Sequence, residues 1–185
     1  MAKMKRKPLV IYTVGHSTRE LPVFLKILQC YGVKQLVDVR TIPHSRKNPQ
    51  YDSETLPKVL RLAKIRYVHL PALGGLRRAA RDSINTGWRN PSFRGFADYM
   101  QGAEFEKGLE QLMKLASAHT TAIICAEAVP WRCHRSLIAD ALIVRGVHVM
   151  DIFRAGTARE HALTSFAQVK GVRVFYPKGP SDSAR

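Results

Sequence analysis

The stretch TAIICAEAVPWRCHRSLIADALIVRGVHVMDI, residues 121–152, decides the fold. It opens on an apolar, β-branched run, Thr121 to Cys125, and closes on another, His148 to Ile152. Between them Leu137, Ile138, Ala141 and Leu142 share one face of a helix. Pro130 stands ahead of that helix, where a missing N–H costs nothing. Strand, turn, helix, strand is the unit from which parallel sheets are built.

Working outward, three more short apolar runs read as buried strands: Leu9 to Val14, Gln35 to Val39, and Arg66 to Leu70. None alternates clearly, as expected of parallel strands covered on both faces. Helical spacing marks Phe24 to Leu28, Leu56 to Ala63, and Phe105, Leu109, Leu112 and Ala116. The expected architecture is α/β: a single open, mostly parallel five-stranded sheet with helices on both faces, Rossmann-like. One domain over 9–176 is expected, with a basic N-terminal extension at 1–8 and a flexible tail at 177–185. Residues 74–94 lack a clear period and read as a functional loop or lid, with Arg77, Arg78, Arg81, Arg89 and Arg94 around Trp88.

The chain has 185 residues, with 30 Lys and Arg against 14 Asp and Glu, a formal charge of +16. That excess favours polyanions such as nucleic acid or nucleotides and says nothing about fold. Three cysteines, Cys30, Cys125 and Cys133, make no disulfide framework. A reducing, cytoplasmic setting follows. No apolar stretch approaches membrane-spanning length, so no membrane partner is expected. No cofactor is called for.

In open α/β sheets ligands bind beyond the carboxyl ends of the strands. Here those ends carry His16 and Ser17; Asp38 and Arg40, then Ser45 and Arg46; His69; Cys125 and Glu127; and Asp151. Turns ordinarily favour Gly, Asn, Ser and Pro. A set rich in His, Asp, Arg, Cys and Glu points to a shared site. Arg132, His134 and Arg135 cluster at the start of the following helix, with Ser136 just inside it. Helix N–H groups and guanidiniums together favour an anion, either phosphate or carboxylate; the bland alternative pairs the arginines with Glu127 or Asp140.

Cys125 is a candidate nucleophile, its thiol acidified by nearby arginines and the helix N-terminus. The spacing weakens that reading, because six residues separate it from Arg132 and the loop lacks glycine. The bland alternative is a small apolar residue closing a strand. Glu127 and His16 are candidate acid–base groups. A zinc site from Cys125, Cys133 and His134, with His16 or His69, is disfavoured: neighbours on a helix point about 100° apart, and no C-x-x-C is present. The expectation is therefore no metal.

The runs Tyr12 to Ser17, Asp38-Val39-Arg40 with Pro43, Ser45-Arg46 and Pro49, Leu73-Gly74-Gly75, and Cys125-Ala126-Glu127 to Cys133-His134-Arg135-Ser136 together resemble the domain of unknown function 488 family. The resemblance covers about residues 8–152. It implies a compact α/β fold and places His16, Ser17, Asp38, Arg40, Ser45, Arg46, Cys125, Glu127, Cys133, His134, Arg135 and Ser136 at the family's signature positions, with an aromatic at Tyr51. It implies no activity. Three functions stay open. One is an enzyme acting on a phosphate-bearing small molecule or nucleotide, with Cys125, Glu127 and His16 as the reacting groups. Another is a nucleic-acid-binding or processing protein, using the basic surface with Trp88 as a stacking platform. The third is a non-catalytic ligand-binding module.

Overall fold

The fold is that of a computed structural model, described for residues 8–179. The expected basic extension, apart from Pro8, and the tail from Pro180 onward lie outside the described residues. The element order is β1 (Val10–Gly15), α1 (Leu21–Cys30), β2 (Gln35–Asp38), α2 (Leu56–Leu62), β3 (Arg66–His69), α3 (Pro91–Tyr99), α4 (Ala103–Ala118), β4 (Thr121–Cys125), α5 (Arg135–Ile143), β5 (His148–Arg154), β6 (Thr157–Glu160), β7 (Gln168–Lys170) and β8 (Arg173–Phe175).

All five expected strands form, and all pair in parallel. The main sheet has six strands rather than five, in the order β3-β2-β4-β1-β5-β6. The sixth, β6, is antiparallel to β5 and follows a turn at Gly156, whose φ of 72° suits glycine. Its polar, exposed TARE sequence carries no buried-strand signal, so periodicity passes over it. β7 and β8 form a separate two-stranded hairpin.

The helices divide between the two faces. Phe24, Ile27 and Leu28 of α1 and Leu56 and Leu60 of α2 pack on one side. Phe96 of α3, Leu109 and Leu112 of α4, and Leu137 and Leu142 of α5 pack on the other. Fully burying each such side chain contributes about 1.5–3 kcal/mol. β1 and β4 are neighbours, yet the helices that follow them lie on opposite faces. That arrangement opens a crevice between their carboxyl ends, the topological switch point where ligands bind in this class.

Residues 74–94 are more ordered than a lid. Asp98 of α3 accepts hydrogen bonds from Ala80 N, Ser83 Oγ and Asn85 Nδ2. Buried Asn85 in turn accepts from Tyr176 N, and Gly87 N donates to Tyr176 O. Trp88 packs against Phe93, Phe166 and Tyr176, with ring centroids 4.7–5.5 Å apart. The expected stacking platform is thus a half-buried brace.

The segment after β5 has a structural role that the sequence did not announce. His161 lies between two carboxylates, with Nδ1 2.7 Å from Asp151 and Nε2 3.2 Å from Asp140. Thr13 donates to Asp151, and Thr164 and Tyr176 donate to Asp140. Asp140 is therefore engaged here rather than by Arg132 or Arg135. Burial disfavours the charged imidazole, but hydrogen bonds to Asp140 and Asp151 outweigh it and raise the His161 pKa from 6.5 to about 9. A raised folded-state pKa gives stability that is complete below pH 6.5 and lost as pH rises through about 9. The thermal midpoint of the wild type should fall between pH 7 and 10, and that slope should flatten in His161→Gln. An equal slope in both proteins would contradict the charged bridge.

Candidate functional site

The site is built by the chain between β4 and α5. After Cys125 the backbone runs through residues 126–129, makes a 3₁₀ turn at Pro130–Arg132, and passes Cys133 in extended conformation (φ −142°, ψ 145°). Arg135, wholly buried at the start of α5, then reaches back over the loop. Its Nη1 donates to Glu127 O at 2.7 Å and its Nη2 to Ala128 O at 3.0 Å. Gly15 admits this arrangement, because a Cβ there would collide with Glu127 O and Arg135 Nη1. Backbone bonds from His16 N to Cys125 O (3.0 Å) and from Ser17 N to Ala126 O (2.8 Å) extend the β1–β4 ladder past the strand ends. They hold Ser17 at a φ of 51°, a left-handed conformation uncommon for a non-glycine residue.

Beside this loop lies a cleft of about 490 Å³ at the switch point. Cys125, Glu127, Arg132, His134, His16 and Ser45 all line it. Glu127 and Arg132 are exposed on its rim, whereas His16 is nearly buried. Gly75, Leu76 and Asn90, from the 74–94 segment, form the facing wall.

Cys125, Cys133 and His134 form the floor. Their ligand-type atoms lie within 4.8 Å of one another. His134 Nδ1 is 3.8 Å from Cys125 Sγ and 3.6 Å from Cys133 Sγ, while Nε2 lies 3.0 Å from Val39 O. A carbonyl only accepts, so Nε2 carries a proton, and Nδ1 is the ring atom turned toward the sulfurs. A hydrogen bond from Cys133, then the neighbouring His134 and Arg135, lower the Cys125 pKa well below the usual thiol value against the effect of burial. The same hydrogen bond, with burial, raises that of Cys133. The premise that set a metal aside does not hold, since Cys133 and His134 precede α5 and are not successive residues on a helix. Neither His16 nor His69 joins the group.

A second chain of groups leads away from the cleft. Buried Asp38 accepts from Arg40 Nε at 2.9 Å, from Arg40 Nη2 at 2.6 Å and from Tyr67 OH at 2.8 Å. Arg40 Nη1 lies 3.3 Å from His16 Nε2. His16 Nδ1 donates to Ser17 O at 2.8 Å, and its ring stacks on Tyr51 at 4.1 Å. Burial is the main cause that lowers the His16 pKa, so a neutral ring faces the cleft.

Several sequence expectations need correction. Arg135 is no anion ligand, because its guanidinium is buried on backbone carbonyls. Arg40 and Asp38 neutralise each other and position His16. Ser136 Oγ donates to Cys133 O, which braces the turn. Ser17 and Arg46 do not line the cleft, although Ser45 beside Arg46 does. Asp52 accepts from Ser45 N and from His44, holding both at the rim. His44 and Asn90 had given no signal, since each lies in a stretch without periodicity.

The family model described as "Domain of unknown function DUF488" matches residues 20–142, about two-thirds of the chain. This chain belongs to the DUF488 family. The match includes Asp38, Arg40, Ser45, Cys125, Glu127, Cys133 and His134, and begins after the His16 segment. Comparisons with curated proteins and with solved structures give no match. Among the described residues of this DUF488 protein, no helix is long and apolar enough to cross a membrane.

Arg135→Met should lower the unfolding free energy by about 2–4 kcal/mol, because it strands two carbonyl acceptors and empties a buried position. Urea unfolding measures this. Unchanged stability would return Arg135 to the role of a ligand-facing cation.

Proposed function

We propose that the protein is an enzyme acting on a phosphate-bearing small molecule or nucleotide held in the switch-point cleft. One observation carries this reading: a single cleft gathers a sulfur–imidazole floor, a neutral imidazole, a free carboxylate and an exposed guanidinium. Each has a separable role. Arg132 has no side-chain hydrogen bond among the described residues, so its guanidinium is available to an anion at the rim. Glu127 stands beside it as an acid–base group, and His16 faces in from the end of the neighbouring strand β1. The reacting centre is the Cys125–His134 floor. The overall charge of +16 draws anions toward the surface and so favours the same substrate class.

The nucleic-acid alternative now leans on charge alone, because Trp88 is packed among three aromatic rings. A non-catalytic module would bind ligand without turnover.

Thermal-shift and calorimetric titrations with inorganic phosphate and with nucleoside mono-, di- and triphosphates test the proposal. At least one should raise the unfolding midpoint of the wild type. Arg132→Ala should weaken its binding about tenfold without lowering the midpoint of the free protein, as loss of one charge-assisted hydrogen bond predicts. Glu127→Gln should keep binding and lose turnover of the compound bound. A panel that shifts nothing overturns the anion-site reading. Salt-dependent binding of a single-stranded oligonucleotide that survives Arg132→Ala replaces it with the nucleic-acid reading.

A further inference from the structure

We infer that Cys125, Cys133 and His134 form a binding site for a zinc-class divalent cation, with an open coordination position facing the cleft. The inference concerns what the chain itself binds and does not depend on which molecule fills the cleft.

The geometry of the donor atoms is the first ground. Tetrahedral zinc, with Zn–S of about 2.3 Å and Zn–N of about 2.0 Å, sets S···N edges of about 3.5 Å. The two S···N separations are 3.8 and 3.6 Å, and all three donor atoms lie within 4.8 Å of one another. An ion between them therefore needs shifts of only a few tenths of an ångström in the S···N edges.

The preparation of the imidazole is the second. Ligating histidines nearly always donate the other ring N–H to a carbonyl or carboxylate, which fixes the tautomer and the ring plane. His134 does so to Val39 O at 3.0 Å. Its ring is further held edge-on to Phe96 at 5.0 Å, and Gly75 leaves the room it needs, since a Cβ there would meet the ring. Nδ1 is thus aimed at both sulfurs by contacts outside the group of three.

The surroundings of the sulfurs are the third. Ser136 Oγ ties down the Cys133 carbonyl, which braces the turn that carries the Cys133 sulfur. Two thiolates and an imidazole are soft and borderline ligands, which favour Zn²⁺ or Co²⁺ over Mg²⁺ or Ca²⁺. Three protein ligands leave a fourth vertex. All three residues line the cleft, so that vertex opens on the space shared with Glu127 and Arg132. Three ligands with one position open is the pattern of a reactive zinc, whereas structural zinc is closed by four.

The test uses the full chain, purified with reductant and stripped with chelator, with free thiols counted before each titration. Addition of Co²⁺ should produce the intense visible bands of a tetrahedral ion and a sulfur-to-cobalt charge-transfer band, saturating at one equivalent per chain. Zn²⁺ should displace it and be recovered at one equivalent after gel filtration. Cys133→Ser and His134→Gln should each abolish the charge-transfer band or reduce cobalt affinity at least a hundredfold. Cys30→Ser and His69→Gln should leave both unchanged. Circular dichroism and thermal unfolding of the metal-free variants establish that they fold, and His134→Gln retains a side chain of similar reach if Cys133→Ser does not. Wild type with three free thiols that gives no tetrahedral cobalt spectrum overturns the inference. So does a spectrum that persists in both folded variants, or a Cys125–Cys133 disulfide that forms in air in preference to zinc uptake. Metal uptake is read without substrate, so its failure is distinct from the failure of the phosphate-compound panel.

Discussion

The site depends on one buried cation. Arg135, at the first position of α5, holds the carbonyls of Glu127 and Ala128 and so folds the β4–α5 loop back over the end of β1. Once the loop is folded, Cys133 returns to Cys125, and His134 falls between them and Val39 O. Gly15 is required beneath, because any side chain would occupy the space of Glu127 O. The two carbonyls engage Nη1 and Nη2 only, Nε finds no partner among the described residues, and the guanidinium sits in the core.

The charge of the molecule is divided accordingly. Arg40 and Arg135, both expected to grip an anion, are consumed in building the site. The positive charge left to a ligand at the cleft is that of Arg132 on the rim. Burial, with the Arg40 charge beside it, disfavours the charged form of His16, whose ring stacks on Tyr51. Asp140, Asp151 and His161 do similar work under the other half of the sheet, locking α5 to β5 and to the residues after β6.

How far the sequence could be read follows from these interactions. The parallel strands and the face-seeking helices were legible, because Thr121 to Cys125 or Phe105 to Ala116 advertise burial through periodicity. The switch point was legible through residue type at the strand ends. What stayed hidden lay in polar residues whose partners are distant in sequence. Asp140 looks like a solvent-facing helix residue until His161, Thr164 and Tyr176 are brought to it. Arg135 and Arg132 look alike in sequence, yet one is wholly buried and the other exposed. Helical spacing misled at Cys133 and His134, because the helix begins one residue after them. β6 has no apolar face to betray it, and Trp88 is anchored by residues more than seventy positions away.

The claim at the centre of this account is that the β4–α5 turn assembles a sulfur–imidazole centre open to the cleft. Anomalous diffraction at the zinc edge, on crystals grown with zinc and reductant, tests it most directly. The account predicts one strong peak about 2.3 Å from both the Cys125 and Cys133 sulfurs and about 2.0 Å from His134 Nδ1, with its remaining face toward Glu127 and Arg132. Reduced, unmetallated sulfurs in such a crystal, or zinc bound only at surface histidines, would contradict it.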